Sequence, residues 1–401
     1  MKLYAQAGYG PSEKINEGLS ENIIQGAILS PKDMTKLAMT EKIQFIRGKF
    51  PKADVFIDPQ FYVGLYAASP EINLGNIGDW DYFRHYTKSE LEISRNIDNL
   101  LQTYFGEIAD LNVTGVISPN IYISQSFDSR EAVIAKNFIR QARNIIEAQS
   151  ISKPLYASLV ICREALQDQK EFEEFLNDIT MIDERPDGFY VIVGSRSHEA
   201  RSDIFHTDII ANWMMLNLSL SINGFEVING YSDILTAFLG AVGGTAGATG
   251  WWSNLRTFSL DRYFPAGGGR LPVIRYLSNL LLNRITFAEK EAISAFIPDI
   301  LNNLPHDTEY TAENNESGLP APERAREILQ SWEAINTLNQ KLTGNDISKN
   351  LDECNNWVLR CAEAYGAIAN RGLVLDSHSN NEHVEPLMEG LRKFREKTEF
   401  G

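Results

Sequence analysis

The chain has 401 residues, 43% of them hydrophobic and 22% charged, enough for one large folded domain with an extension or for two domains, and global disorder is excluded. Its 37 Lys and Arg against 53 Asp and Glu leave a net charge of −16, which opposes a nucleic-acid partner unless cations are concentrated locally. Three cysteines cannot build a disulfide framework, and the opening Lys2-Leu3-Tyr4-Ala5-Gln6 is not a signal-peptide apolar run, so a cytoplasmic protein is expected.

In chain order, short apolar runs alternate with longer stretches of helical spacing, as expected for strands buried on both faces with helices between them. The first run is Ile23–Leu29, closed by Ser30-Pro31 and followed by a helix over 32–49. The second, Asp54–Ile57, ends in Asp58-Pro59-Gln60. A long insertion then leads to a helix near 89–110, with Ser89 and Glu92 spaced as a capping box. Val113–Ile117, Leu155–Ile161, Gly188–Val193 and Phe225–Ile228 are the third to sixth runs, with helices expected over 129–149, 163–182 and 203–222. Asp233–Val242 reads as a short helix, and the glycine-rich 243–250 is assigned to strand seven and its loop. Val273–Leu277 is the weaker choice for strand eight. Eight parallel strands with outer helices predict a (β/α)8 TIM-like barrel of the α/β class, with an open doubly wound sheet as the alternative.

The expected domain division is a barrel over 1–300 with an N-terminal lid segment over 4–12, a linker over 301–318, and a helical C-terminal subdomain over 319–401. No stretch reaches the roughly 18 apolar residues of a membrane span, so no membrane partner is expected.

In a barrel, chemistry belongs just after the strands. Asp58 is the first catalytic candidate, because a carboxylate at a buried strand end is costly without a partner. Asp233 is the second; it can divide acid and base work with Asp58, or simply cap the helix that follows. Asn120 and Tyr231 occupy strand ends, and Arg163 and Arg196 either clamp an anion or pair with the carboxylates. Gly243, Gly244, Thr245 and Gly247 precede Arg256 and suggest an anion loop, or else small residues that permit close packing. Arg270, after the glycines at 267–269, is a second cation beside a flexible loop. The aromatic 80–86 segment stacks a ring over the mouth or forms a satellite core. No dinucleotide or Walker motif, histidine pair or cysteine cluster is present, so neither cofactor nor metal is expected.

Asp187-Gly188-Phe189-Tyr190-Val191-Ile192-Val193-Gly194 resembles, over those eight residues, a strand-five region of tRNA-guanine transglycosylase barrels. That resemblance implies base exchange in nucleic acid and a zinc site of three cysteines and a histidine, which this chain cannot supply. The leading expectation is therefore a barrel hydrolase or group transferase acting on a small anionic, phosphorylated or nucleotide-like ligand. The alternatives are a non-catalytic scaffold whose C-terminal helices dock a protein partner or a second copy, and a nucleic-acid-acting barrel.

Overall fold

A computed structural model describes residues 1–10, 13–199, 201–265, 272–309, 324–344, 346–398 and 400. Eight parallel strands form one sheet: β1 (Lys2–Gln6), β2 (Gly26–Leu29), β3 (Asp54–Ile57), β4 (Val116–Ser118), β5 (Leu155–Cys162), β6 (Gly188–Gly194), β7 (Glu226–Gly230) and β8 (Ala246–Thr249). Their order is β3-β2-β1-β8-β7-β6-β5-β4, with Tyr122–Ile123 adding a short extension beside β5. Each strand thus neighbours its predecessor in sequence, and β1 pairs with both β2 and β8. Between β3 and β4 the ladder gives way to two bonds, from Thr114 N to Val55 O and from Val55 N to Thr114 Oγ1, each 2.9 Å. The result is a nearly closed (β/α) barrel with a helical C-terminal region.

Six of the expected runs are β2 to β7, one place later in the barrel than assigned. The displacement comes from β1, which was expected as a lid but fills the first barrel position. Its apolar run, Leu3-Tyr4-Ala5, lies between Lys2 and Gln6, and Gln6 is fully buried. The glycine-rich stretch is itself β8, the last strand. A Cβ on Gly247 would lie 2.4 Å from the Thr236 side chain, so small residues here let the helix Thr236–Gly240 sit directly on the strand. The strand expected at 273–277 is not in the barrel. Arg275–Ser278 (β9) pairs antiparallel with Asn283–Thr286 (β10) in a separate hairpin.

The outer helices follow their sequence signals with local corrections. Ser129 caps Arg130–Ala148 as its type suggests. The capping box in the long insertion is Thr87 with Glu90, rather than Ser89 with Glu92. The 80–86 aromatics are core: Trp80, Tyr82, Phe83 and Tyr86 are buried, and the Tyr82 ring packs edge-on to Tyr104 at 4.9 Å.

In the C-terminal region, helices Arg324–Lys341, Ile347–Asn370 and Val384–Lys397 carry the helical character expected there. Val384–Lys397 packs on Thr207–Ile222, the helix after β6, where Gly390 lies against Ile210. That contact explains why Thr207–Ile222 is apolar nearly all round. Trp332 is fully buried and donates from Nε1 to Thr249 O at 3.1 Å, tying Arg324–Lys341 to the end of β8. Half of the expected linker, from residue 310 on, lies outside the described residues, and the described half ends in the short helix Pro305–Glu309.

Candidate functional site

Two arrangements occupy the C-terminal end of the barrel. On the axis, Asp58 follows β3 with no solvent exposure. Its Oδ1 accepts from Gln60 N at 3.1 Å, and its Oδ2 accepts from Tyr62 and Tyr190 hydroxyls at 3.0 and 3.3 Å. Burial raises its pKa to about 6, against the opposing pull of these donors and of Arg262. Arg262 donates to the Tyr231 hydroxyl at 2.7 Å and to Ser30 Oγ at 3.1 Å, and it pairs with Asp33. Phe258 fills the remaining space, with its ring 5.0 Å from that of Tyr62 and 5.4 Å from that of Tyr231. The axis is a packed aromatic plug with a polar network inside it.

Beside the plug lies a cavity of about 340 Å³. Its walls are the loops after β6 (His198, Glu199, Phe205), after β7 (Tyr231 to Leu235) and after β8 (Ser253, Arg256, Thr257), with the β9–β10 hairpin above (Arg275, Asn283, Arg284). Three arginines, Arg256, Arg275 and Arg284, line this one space. Tyr231 and Asp233 turn the loop after β7 with φ of +53° and +41°, values that non-glycine residues seldom adopt and that recur where function constrains the backbone.

Asp233 does not cap a helix. Its carboxylate takes both Arg284 nitrogens, at 2.5 and 2.8 Å, and the Thr249 hydroxyl at 2.9 Å. Burial alone would raise its pKa, but Arg284 outweighs this and holds it below the ordinary carboxylate value. Arg256 is pushed down to about 10, first by burial and then by the neighbouring Arg284. Its carboxylate neighbour Glu327 is 3.9 Å away, beyond hydrogen-bond reach, so its fork is less committed than that of Arg284.

The structure brings Tyr231, Asp233 and Arg256 to one cavity. Asp58 is close by but sealed beneath the plug, and it does not line the cavity. Arg163 and Arg196 converge instead on Asp203, each with an N–O contact of 2.5 Å, so their partner is neither proposed catalytic carboxylate. Asn120 spends its side chain on backbone: Nδ2 donates to Ser158 O at 2.7 Å, and Oδ1 accepts from Ile121 N at 2.8 Å. Gly243, Gly244 and Thr245 precede β8 and so lie at the opposite end of the barrel from Arg256, while Gly247 is inside the strand. An anion loop there does not fit this placement; Gly243 meets the Ser221 side chain and Gly244 the Leu239 carbonyl. Arg270 lies outside the described residues. Sequence reasoning missed Arg275 and Arg284, because they sit in a stretch read as barrel strand and its continuation. No alternation marks the first hairpin strand, where Tyr276, Leu277 and Ser278 are all buried; only Asn283-Arg284-Ile285-Thr286 alternates in burial.

Cys162 is a buried thiol at the end of β5, donating to Gln125 O at 3.1 Å, and burial raises its pKa to about 11, which is inert rather than nucleophilic. Cys354 and Cys361 are buried in the helix Ile347–Asn370. Among the described residues, no group of three or more His, Cys, Asp or Glu side chains is arranged to hold a metal, and no helix is long and apolar enough to cross a membrane.

No family model matches the chain, and no curated protein matches it. Among solved structures, it is similar to an HpcH/HpaI aldolase from Desulfitobacterium hafniense DCB-2, with a TM-score of 0.34 and 9% identity over 62% of this chain and 86% of that one. It is also similar to a structure described as CpGH84B, with a TM-score of 0.36 and 14% identity over 98% of this chain and 66% of that one. At these scores the barrel is argued from its own strand order, and neither likeness bears on activity.

Proposed function

We propose that this barrel binds a small anionic, phosphorylated ligand in the cavity beside the axial plug and acts on it as a hydrolase or group transferase. The observation that carries the reading is the convergence of Arg256, Arg275 and Arg284 on one cavity above the loops after β7 and β8. Loops after the seventh and eighth strands are where barrels commonly hold phosphate, and planar guanidinium forks match its oxygens. The apolar wall of Ile204, Phe205, Ile234, Leu235 and Val273 suits an organic body attached to that anion. In this reading Arg256 anchors the ligand and Asp233, kept ionised by Arg284, is an acceptor at the cavity wall. Asp58 is bonded to Tyr62 and Tyr190 inside the axial plug and takes no part in ligand binding.

The test is a thermal-shift screen against inorganic phosphate, sugar phosphates and nucleotides, followed by 31P NMR of any hit. A ligand at about a hundred times its Kd adds about 2.7 kcal/mol. The expected result is a shift of a few degrees that disappears in Arg256→Ala, with the phosphorus resonance changing over time. No shift with any phosphorylated compound would reject the reading. A shift without turnover would instead favour a binding protein without catalysis, a second reading supported by the filled barrel axis.

A further inference from the structure

The β9–β10 hairpin brings two of the three cavity guanidiniums, Arg275 and Arg284, yet it is not part of the barrel sheet. A two-stranded hairpin has little stability of its own, so its position is set by what it is bonded to. Those bonds come largely from the C-terminal region. Gln330 clamps Leu277 from both sides, accepting from its N–H at 3.0 Å and donating to its carbonyl at 2.9 Å. Asn283 donates to the Tyr365 hydroxyl and to Asn380 O, each at 3.0 Å.

The guanidiniums themselves divide the same way. Arg284 is held from within the barrel by Asp233. Arg275 donates to Asp376 Oδ1 at 2.6 Å and to Ser379 Oγ at 2.9 Å. The loop carrying these two acceptors is fixed in turn by Glu289, which accepts from Ser379 Oγ at 2.7 Å and Asp376 N at 2.5 Å. Arg256 faces Glu327 at 3.9 Å, and Glu327 also accepts from Arg275 N at 3.4 Å.

We infer that the C-terminal region is a working half of the anion site, with Asp376 orienting the Arg275 fork as a positioning residue that need not touch the ligand. The inference rests on the anion reading above. A long arginine chain otherwise samples many rotamers, and holding its fork before the ligand arrives removes that cost from binding. One consequence is linkage: an anion seated on Arg275 favours the bonded arrangement of the 376–380 loop, and loss of that arrangement weakens the anion.

The experiment is isothermal titration of the full chain with inorganic phosphate and with pyrophosphate. Asp376→Ala is expected to weaken the tighter probe about tenfold, while Asp376→Asn, which keeps an oxygen acceptor for Arg275, stays within about threefold of the unsubstituted protein. Equal or tighter binding by Asp376→Ala overturns the inference, since the carboxylate would then merely compete with the anion. Should Asp376→Ala melt far below the unsubstituted protein, Ser379→Ala carries the test: about threefold weaker binding supports it, and unchanged affinity overturns it. If the unsubstituted protein binds neither probe, the anion reading itself fails and this inference falls with it. Loss of the difference among the three Asp376 forms, with wild-type binding intact, removes only the inference.

Discussion

The axial plug and the arginine cavity share one end of one barrel, yet they use their polar residues in opposite ways. On the axis, Asp58, Tyr62, Tyr190, Tyr231 and Arg262 satisfy one another, and Phe258 closes the space, so a carboxyl with a raised pKa is locked in a dry interior. In the cavity, the same residue types surround open volume, and Arg256 meets its nearest carboxylate only at 3.9 Å. The lesson is that a perturbed carboxyl and a functional pocket need not coincide: burial that shifts a pKa also excludes a ligand. Substitutions at Asp58 or Tyr62, which do not line the cavity, should therefore move stability and leave anion binding alone, and Arg256 should do the reverse.

The largest expected effect crosses that division. Arg284→Ala leaves Asp233 ionised without its bidentate partner in a mostly buried position, which should cost about 4 kcal/mol in urea unfolding and also abolish phosphate binding. A loss below about 1 kcal/mol would show that the pair is solvated and that the cavity is more open than its geometry implies.

Asp58→Asn tests the plug. Because the folded pKa is raised, from an ordinary 3.8 to about 6, the native state binds the extra proton between those values, so this group's contribution to stability falls as pH rises through that window. Above pH 6 the buried charge costs about 3 kcal/mol relative to low pH, on the scale of about 1.4 kcal/mol per pKa unit. The asparagine variant should lack this slope and be the more stable protein at pH 8. Unfolding of both proteins from pH 4.5 to 8 checks it; parallel pH profiles would show that Asp58 does not titrate in that window. Tyr62→Phe removes a single donor to Asp58 and should cost about 1 kcal/mol, with phosphate affinity unchanged.

The smallest stability effect is expected at Arg256. Its alanine variant should unfold within about 1 kcal/mol of the parent, because a buried guanidinium without a close partner adds little. Phosphate titration of the same variant should nevertheless show no binding. A large loss of stability with binding retained would reverse the contrast between plug and cavity.

Much of the barrel was legible because β2 to β7 are buried on both faces and therefore read as unbroken apolar runs. The strands that escaped are those where this link fails. β1 opens on an exposed Lys2 and ends in the buried Gln6, so polar residues bound its apolar run, and β8 is Ala246-Gly247-Ala248-Thr249 because a helix packs too close for larger side chains. Each needed the closed sheet to be recognised, since only a vacancy between β2 and β7 calls for two more strands. The site was legible to the same degree. Strand-end logic reached Tyr231 and Asp233, which line the proposed cavity, and Asp58, which does not, and loop position reached Arg256. It also drew in Asn120, Arg163 and Arg196, whose spent hydrogen bonds no spacing rule can show.

By itself, then, the sequence determined the alternation of buried strands and amphipathic helices, the absence of metal-type motifs and the polar character of the strand ends, because these follow from residue type and period. Only the tertiary structure decided which strand comes first, that Asp58 is sealed while Asp233 faces open volume, and that Arg275, Arg284 and the C-terminal acids meet Arg256. Those facts depend on contacts between segments up to a hundred or more residues apart, such as Arg275 with Asp376 and Arg256 with Glu327, and no local pattern encodes a contact of that range.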